Sequence, residues 1–156
     1  MVNENVRLED VTIGRGGWRN FSGAVSENNR SGQKKFSIFL PEHVADILAD
    51  QGWNVRRKPP YQEGGDELIF LDVFVDYNHY PPSITLISHD GARQLLNDET
   101  VGLLDSVDIE TAELEIRPYN WEVNGKSGTK AMVQELIVTA KKPRRALNAS
   151  MRHDEE

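Results

Sequence analysis

Residues 112–142 read AELEIRPYNWEVNGKSGTKAMVQELIVTAKK. Two strand-like runs flank Asn124-Gly125-Lys126-Ser127-Gly128. An Asn-Gly pair between alternating runs is a strong hairpin signal, because a tight turn needs positive φ at its centre and these two residues tolerate it at little cost. In the first arm Ala112, Leu114 and Ile116 point one way, and Glu113, Glu115, Arg117, Tyr119 and Trp121 point the other. The first set is a core face. The second brings an arginine and two rings near the turn, where Lys126 and Lys130 add positive charge. Bases stack on rings while cations meet phosphates, so this surface suits a nucleic-acid strand. The competing explanation is that Tyr119 and Trp121 pack against neighbouring strands, since aromatics are enriched in strands for packing reasons alone.

A chain of 156 residues can bury a sizeable core as one domain. It has no apolar run long enough to cross a membrane and a polar start, MVNENVRLEDV, so neither a membrane segment nor a leader is expected and a cytoplasmic location is. With no cysteine, disulfides, thiolate metal sites and cysteine nucleophiles are excluded. The net charge of −7 argues against an anionic ligand until its distribution is considered. Residues 62–116 hold thirteen Asp and Glu and only Arg93 as a cation, so the rest of the chain is net positive. Between Arg15 and Lys35 there are five basic residues and one acidic one. Segregation of this kind creates local positive potential whatever the total; scatter over a solvated surface is the bland alternative.

Residues 6–15 alternate as a strand with a slip that suggests a bulge, and Gly14-Arg15-Gly16-Gly17 breaks it. Residues 18–25 read as strand, 26–32 as a polar loop, and 34–40 as strand with Phe36, Ile38 and Leu40 on one face and Lys35, Ser37 and Phe39 on the other. This second hairpin is a basic arm offering Arg15, Trp18, Arg19, Phe21, Lys34 and Lys35 to a ligand. A helix is predicted from Pro41 to a stop at Gly52, with Val44, Ala45, Ile47 and Leu48 as its apolar stripe. Trp53 and Arg56-Arg57-Lys58 form another mixed patch. Residues 68–77 are the most apolar strand, with Ile69, Leu71, Val73, Val75 and Tyr77 toward the core. Phe70 and Phe74 face the other way, and burial under a helix is favoured for them because Asp72 and Asp76 beside them would repel phosphates. Residues 84–88 are strand; a helix capped by Ser88 or Asp90 is predicted through Leu95-Leu96, then a helical turn over 98–104. Residues 94–116 contain no cation, so their carboxylates should face away from a phosphate backbone. Residues 141–145 are basic and broken by Pro143, and 146–156 read as a disordered end closing on Asp154-Glu155-Glu156.

Gly125-Lys126-Ser127 lacks the upstream glycine and following helix of a phosphate-binding loop. His43, His79, His89 and His153 have no paired spacing, so neither a metal nor any other cofactor is expected. Asp72 and Asp76 share a strand face as a magnesium pair would, but no nucleophile or general base accompanies them, and no enzymatic activity is expected.

The run RPYNWEVNGKSG at residues 117–128 resembles the RPY-x-WEVNGKSG run of single-stranded-DNA-binding proteins encoded by tailed phages of actinobacteria. Weaker echoes are Asn20-Phe21-Ser22-Gly23, Phe36-Ser37-Ile38-Phe39-Leu40 and Asp50-Gln51-Gly52-Trp53-Asn54-Val55, so the resemblance spans about residues 20–141. It implies an OB-like barrel acting in phage DNA replication or recombination in the host cytoplasm. Two features depart from it: the acidic end lacks the apolar tip with which bacterial single-strand binders dock partners, and two helices are predicted where a minimal five-stranded barrel needs one.

The resulting expectation is a mainly β domain over residues 1–142, an OB-like antiparallel barrel with two long hairpins and two short helices, followed by a basic-then-acidic tail over 143–156. It is expected to bind single-stranded DNA with little sequence preference through Arg15, Trp18, Arg19, Phe21, Lys34, Lys35, Trp53, Arg56, Arg57, Lys58, Arg117, Tyr119, Trp121, Lys126 and Lys130. The tail is a candidate tag for replication or recombination proteins, and oligomeric state stays open. The alternatives are a protein-binding module using its acidic face as a nucleic-acid mimic, and a metal-dependent nuclease built on Asp72 and Asp76.

Overall fold

The computed structural model describes residues 2–60 and 62–143. The chain runs through β1 (Val6–Leu8), β2 (Thr12–Ile13), β3 (Arg19–Asn20), β4 (Lys34–Phe39), α1 (Glu42–Gln51), β5 (Val55–Lys58), β6 (Leu68–Val75), β7 (Ser83–Ile87), β8 (Arg93–Leu96), β9 (Ile109–Val123) and β10 (Lys126–Ala140). The domain is mainly β, as its alternating sequence implies. All strands belong to one sheet ordered β1-β9-β10-β6-β4-β2, with β3 also on β4, β5 on β6, β7 on β10 and β8 on β7.

The central hairpin forms where the sequence places it, with Asn124 at φ 52° and Gly125 at φ 78° in its turn. Its core face is as predicted: Ala112, Leu114 and Ile116 are fully buried with Phe36, Ile38, Leu71 and Val73. The second arm is long enough to serve two neighbours on its far edge. Ala131 and Met132 pair with β6, and residues 135–139 pair with β7, both in parallel. The sheet is therefore mixed, which corrects the expectation of a wholly antiparallel one. Parallel pairing joins segments distant in sequence and leaves no turn signature.

The first segment bends at Asp10, whose φ is 50°. Before the bend Val6, Arg7 and Leu8 pair with β9; after it Thr12 and Ile13 pair with β4. Between them the Val11 N–H donates to the Ala112 carbonyl at 2.9 Å. The two ends of the strand path are thus consecutive in the chain.

α1 follows its predicted limits and ends on Gly52 in the left-handed region, φ 108°. Ala45 and Leu48 are buried, but Ile47 is exposed, so the apolar stripe is narrower than the sequence suggests. The helix predicted through Leu95-Leu96 is instead β8, a hairpin partner of β7. Ser88 N–H donates to Ala92 O at 2.9 Å across the turn, and Gly91 supplies φ 92°. Exposed Leu95 beside buried Leu96 is a period-two pattern, which two adjacent leucines cannot distinguish from a helical one. The helical turn predicted next is a 3-10 segment, Val101–Ser106. Of residues 18–25, only Arg19–Asn20 pairs as strand, because the Asn20 side chain folds the chain back by accepting from Ala24 N–H and donating to Ala24 O. Of the expected tail, residues 144–156 lie outside the described residues.

Candidate nucleic-acid interface

Strand alternation and register build one continuous outer face from five strands. On β6, Phe70, Asp72 and Phe74 point away from the core, between the buried Leu71, Val73 and Val75. Register sets Phe39 opposite Phe70, Ser37 opposite Asp72 and Lys35 opposite Phe74, so β4 presents the same face. β5 places Arg56 opposite Phe70 and Lys58 opposite Leu68. Farther along the same edge of β6 as β5, Met132 lies beside Phe74, and β9 faces it with Arg117 opposite Met132, Tyr119 opposite Lys130 and Trp121 opposite Gly128.

The face is a row of shallow pockets. One is lined by Trp18, Lys35, Arg56, Lys58, Phe70 and Asp72. The next holds Asp72, Phe74, Trp121, Gly128 and Lys130. A third holds Phe74, Tyr80, Tyr119, Lys130 and Met132. Asp72 is shared by the first and second, Phe74 and Lys130 by the second and third, so the row is continuous.

Cations accompany the rings along its length. Lys58 Nζ lies 5.1 Å from the centre of the Trp18 ring, and Arg56 lies 5.3 Å from Phe70. Lys130 Nζ is 4.8 Å from Phe74, and Arg117 is 5.4 Å from Tyr80. These are cation–π distances. Trp18 meets Phe39 and Phe70 edge-on, and Tyr80 meets Tyr119 edge-on at 5.8 Å, so the rings brace one another. Phe70 is covered by these neighbours, whereas Phe74, Trp18 and Trp121 are half-buried and Tyr119 is exposed. The surface therefore combines aromatic rings with cations lying over them, the two elements that a strand with exposed bases engages.

Trp121 owes its position to the residue opposite. A Cβ at Gly128 would come within 2.7 Å of the indole, so the ring lies across the bare glycine backbone. Gly128→Ala is expected to push the ring outward rather than break the strand, because the indole is half-buried and can move. Oligonucleotide affinity should fall while the thermal midpoint stays within a few degrees of the parent; calorimetry and a fluorescence titration read the two effects separately.

The remaining candidates divide by physical cause. Phe21 is fully buried and stacked on Phe36 at 4.6 Å, away from the row, whereas Trp53 is buried with its Nε1–H donating to Gln51 at 3.2 Å and borders the second pocket from beneath its rim. Arg19 is buried too. Its guanidinium donates to the carbonyls of Gly14 at 2.9 Å, Leu104 at 3.0 Å and Val107 at 2.8 Å, tying the first loop to the 3-10 segment, and burial lowers its pKa. Arg57 leaves the face by strand alternation and pairs with Glu42, Asp46 and Glu67, and its hydrogen bonds to Glu42 and Glu67 raise its pKa. Lys34, alternating with Lys35, pairs with Asp98. Arg15 sits at an edge, 3.7 Å from Asp108. Lys126 is exposed at the hairpin tip on the same alternation as Gly128 and Lys130.

Phe39, Phe74 and Tyr80 are on the face without a place in the sequence-based expectation, while Phe70 is buried as that expectation has it, beneath Trp18 and Phe39 rather than a helix. The alternation of Lys35, Ser37 and Phe39 was sufficient to include Phe39. Phe74 was set aside under a helix that does not cover this face, and Tyr80 sits in a loop with no periodic signal. The acidic half of the hairpin stays apart: Glu113 and Glu135 each bind Arg7 at 2.9 Å, near the base of the hairpin and far from its tip.

Asp72 and Asp76 are each engaged by donors of the protein itself. Asp72 accepts from Ser37 Oγ at 2.6 Å and from Arg56 at 2.9 Å. Asp76 accepts from the backbone N–H groups of Asn78 and His79 and lies 3.0 Å from the His79 ring. Burial raises the Asp76 pKa, but those hydrogen bonds and the nearby histidine outweigh it and hold the carboxyl below its usual range. Among the described residues no group of three or more His, Asp or Glu side chains is placed to hold a metal. No described helix is long and apolar enough to cross a membrane.

The sequence matches the family model described as a putative phage ssDNA-binding domain over residues 1–148. No curated protein matches it. Among solved structures, the single-stranded DNA-binding protein from bacteriophage Enc34 in complex with ssDNA superposes with a TM-score of 0.58 at 7% identity, covering 89% of this chain and 88% of that one. The same phage protein without that description of a complex gives 0.55 at 6% identity over 97% and 88%. Its C-terminally truncated form gives 0.53 at 11% identity over 89% and 87%. At such identities these likenesses establish a shared fold.

Proposed function

The chain belongs to the family of phage single-stranded-DNA-binding domains, and on that premise we propose that it holds single-stranded DNA along the outer face of β4, β5, β6, β9 and β10. The observation that carries the reading is the pairing of rings with cations along one uninterrupted row. Trp18, Phe74, Tyr119 and Trp121 are the stacking rings; Lys35, Arg56, Lys58, Arg117, Lys126 and Lys130 meet the backbone. Every base has a π-face, so a site built on stacking tolerates any sequence. In a duplex those faces are hidden in the stack, and such a site gains only its phosphate contacts. The protein does no covalent chemistry in this role. It coats and protects strands exposed during phage DNA replication and recombination, in the host cytoplasm.

A fluorescence titration with oligo-dT at several salt concentrations tests this. Six phosphate contacts give a slope of log affinity on log salt of roughly −4.2 for a single strand. A duplex of equal length should bind more weakly at every salt. Equal affinity for the two forms, or binding indifferent to salt, refutes the proposal.

A further inference from the structure

A carboxylate, Asp72, stands in the floor where the first two pockets meet, while the second acid of the row, Asp76, lines the third and is held by the Asn78 and His79 backbone N–H groups. Asp72 lies between Phe70 and Phe74 and lines both the first and the second pocket. Its side chain is 17% exposed, so it is reachable from the groove. Each oxygen has one protein donor: Ser37 Oγ on Oδ1 at 2.6 Å and Arg56 on Oδ2 at 2.9 Å. An ionised carboxylate has about four acceptor positions, so each oxygen keeps capacity for another hydrogen bond.

Resting on the single-strand reading above, we propose that Asp72 reads a base and makes this subsite prefer bases with an exocyclic amino group over thymine. A phosphate passing over the floor would meet the Asp72 carboxylate, so the backbone is driven to the flanks, where Lys35 stands on the β4 edge of β6 and Arg56, Lys58 and Lys130 stand on the β5 and β10 edge. The strand then presents base edges to the floor. Cytosine, adenine and guanine offer amino hydrogens to a carboxylate; thymine offers one N–H between two carbonyl oxygens that the carboxylate repels. The preference is superimposed on stacking that discriminates little, so the protein remains a general binder with one discriminating position.

The test compares oligo-dC with oligo-dT of one length, on the full chain, for the parent, Asp72→Asn and Ser37→Ala. The decisive quantity is the change in the dC-to-dT affinity ratio between parent and variant, in which the oligonucleotides' own stacking cancels. Asp72→Asn should bind oligo-dT more tightly than the parent does, because the like charge is gone, and should lower the ratio by about three- to tenfold. Ser37→Ala keeps the charge, frees Oδ1 and should hold or raise the ratio. Calorimetry confirms folding of each variant, and the Ser37 arm decides the matter if Asp72→Asn is unfolded: a ratio that falls there overturns the assignment. A ratio unchanged within twofold in a folded Asp72→Asn also overturns it. If the parent binds neither oligonucleotide, the single-strand reading fails first.

Discussion

Trp121→Ala is expected to weaken oligo-dT binding by about 1–3 kcal/mol and to leave folding stability nearly unchanged. The expectation follows from where the ring lies. It is half-buried, resting on the Gly128 backbone on the outer side of the hairpin, while the inner side is closed by fully buried Ala112, Leu114 and Ile116. Removing the indole takes away a platform but opens no void in the core. A core tryptophan behaves in the opposite way and loses about 3–5 kcal/mol of stability on truncation. Chemical denaturation and an oligonucleotide titration on the same variant therefore give a two-way outcome. Normal melting with parental affinity would remove the hairpin from the site.

Phe21→Ala should do the reverse. Phe21 has no exposed surface and stacks on Phe36, with ring centres 4.6 Å apart and planes 22° from parallel. The flanking backbone is held as well: Asp105 accepts from the N–H groups of Phe21 at 2.7 Å and Ser22 at 3.0 Å. That clamp keeps the chain from collapsing into the space the ring leaves, so the cavity term should approach its full value. A loss of about 3–5 kcal/mol is expected in urea denaturation. Under conditions where the variant is folded, its affinity for oligo-dT should equal the parent's. A weakened affinity without loss of stability would return Phe21 to the binding surface.

These two aromatics show what the sequence makes legible. Trp121 sits in an arm with unbroken alternation next to an Asn-Gly turn, so its face could be assigned by counting from Ala112. Phe21 sits beside a break, in a stretch whose shape is set by the Asn20 side chain and by Asp105, 84 residues away; counting has no purchase there. Proximity of cations to rings is a poor substitute for parity. Residues 56–58 read as one basic patch by composition, yet alternation alone separates Arg56 and Lys58 from Arg57. Phe74 is illegible for a different reason. Whether a sheet face is covered depends on where α1 packs, and that is decided by Ala45, Leu48 and the buried Trp53 acting together. The parallel contacts of β10 were equally out of reach, because the residues that make them are more than fifty positions apart and share no local signal.

The bend at Asp10 has a consequence for how the molecule is made. Val6 pairs with Ile116, and Ile13, a few residues later, pairs with Ile38. As the chain leaves the ribosome, β2, β4 and β6 can associate early, and the half of the groove carrying Trp18, Phe70 and Lys58 can take shape. The other half must wait until β9 and β10 have been synthesised, and β1 has no partner before β9. Non-local pairings of this kind are slow and leave unpaired edges exposed in the meantime. The nascent protein should therefore pass through a stage in which a half-built, cationic surface is already open to nucleic acid while the strand that joins the sheet's two ends is still loose.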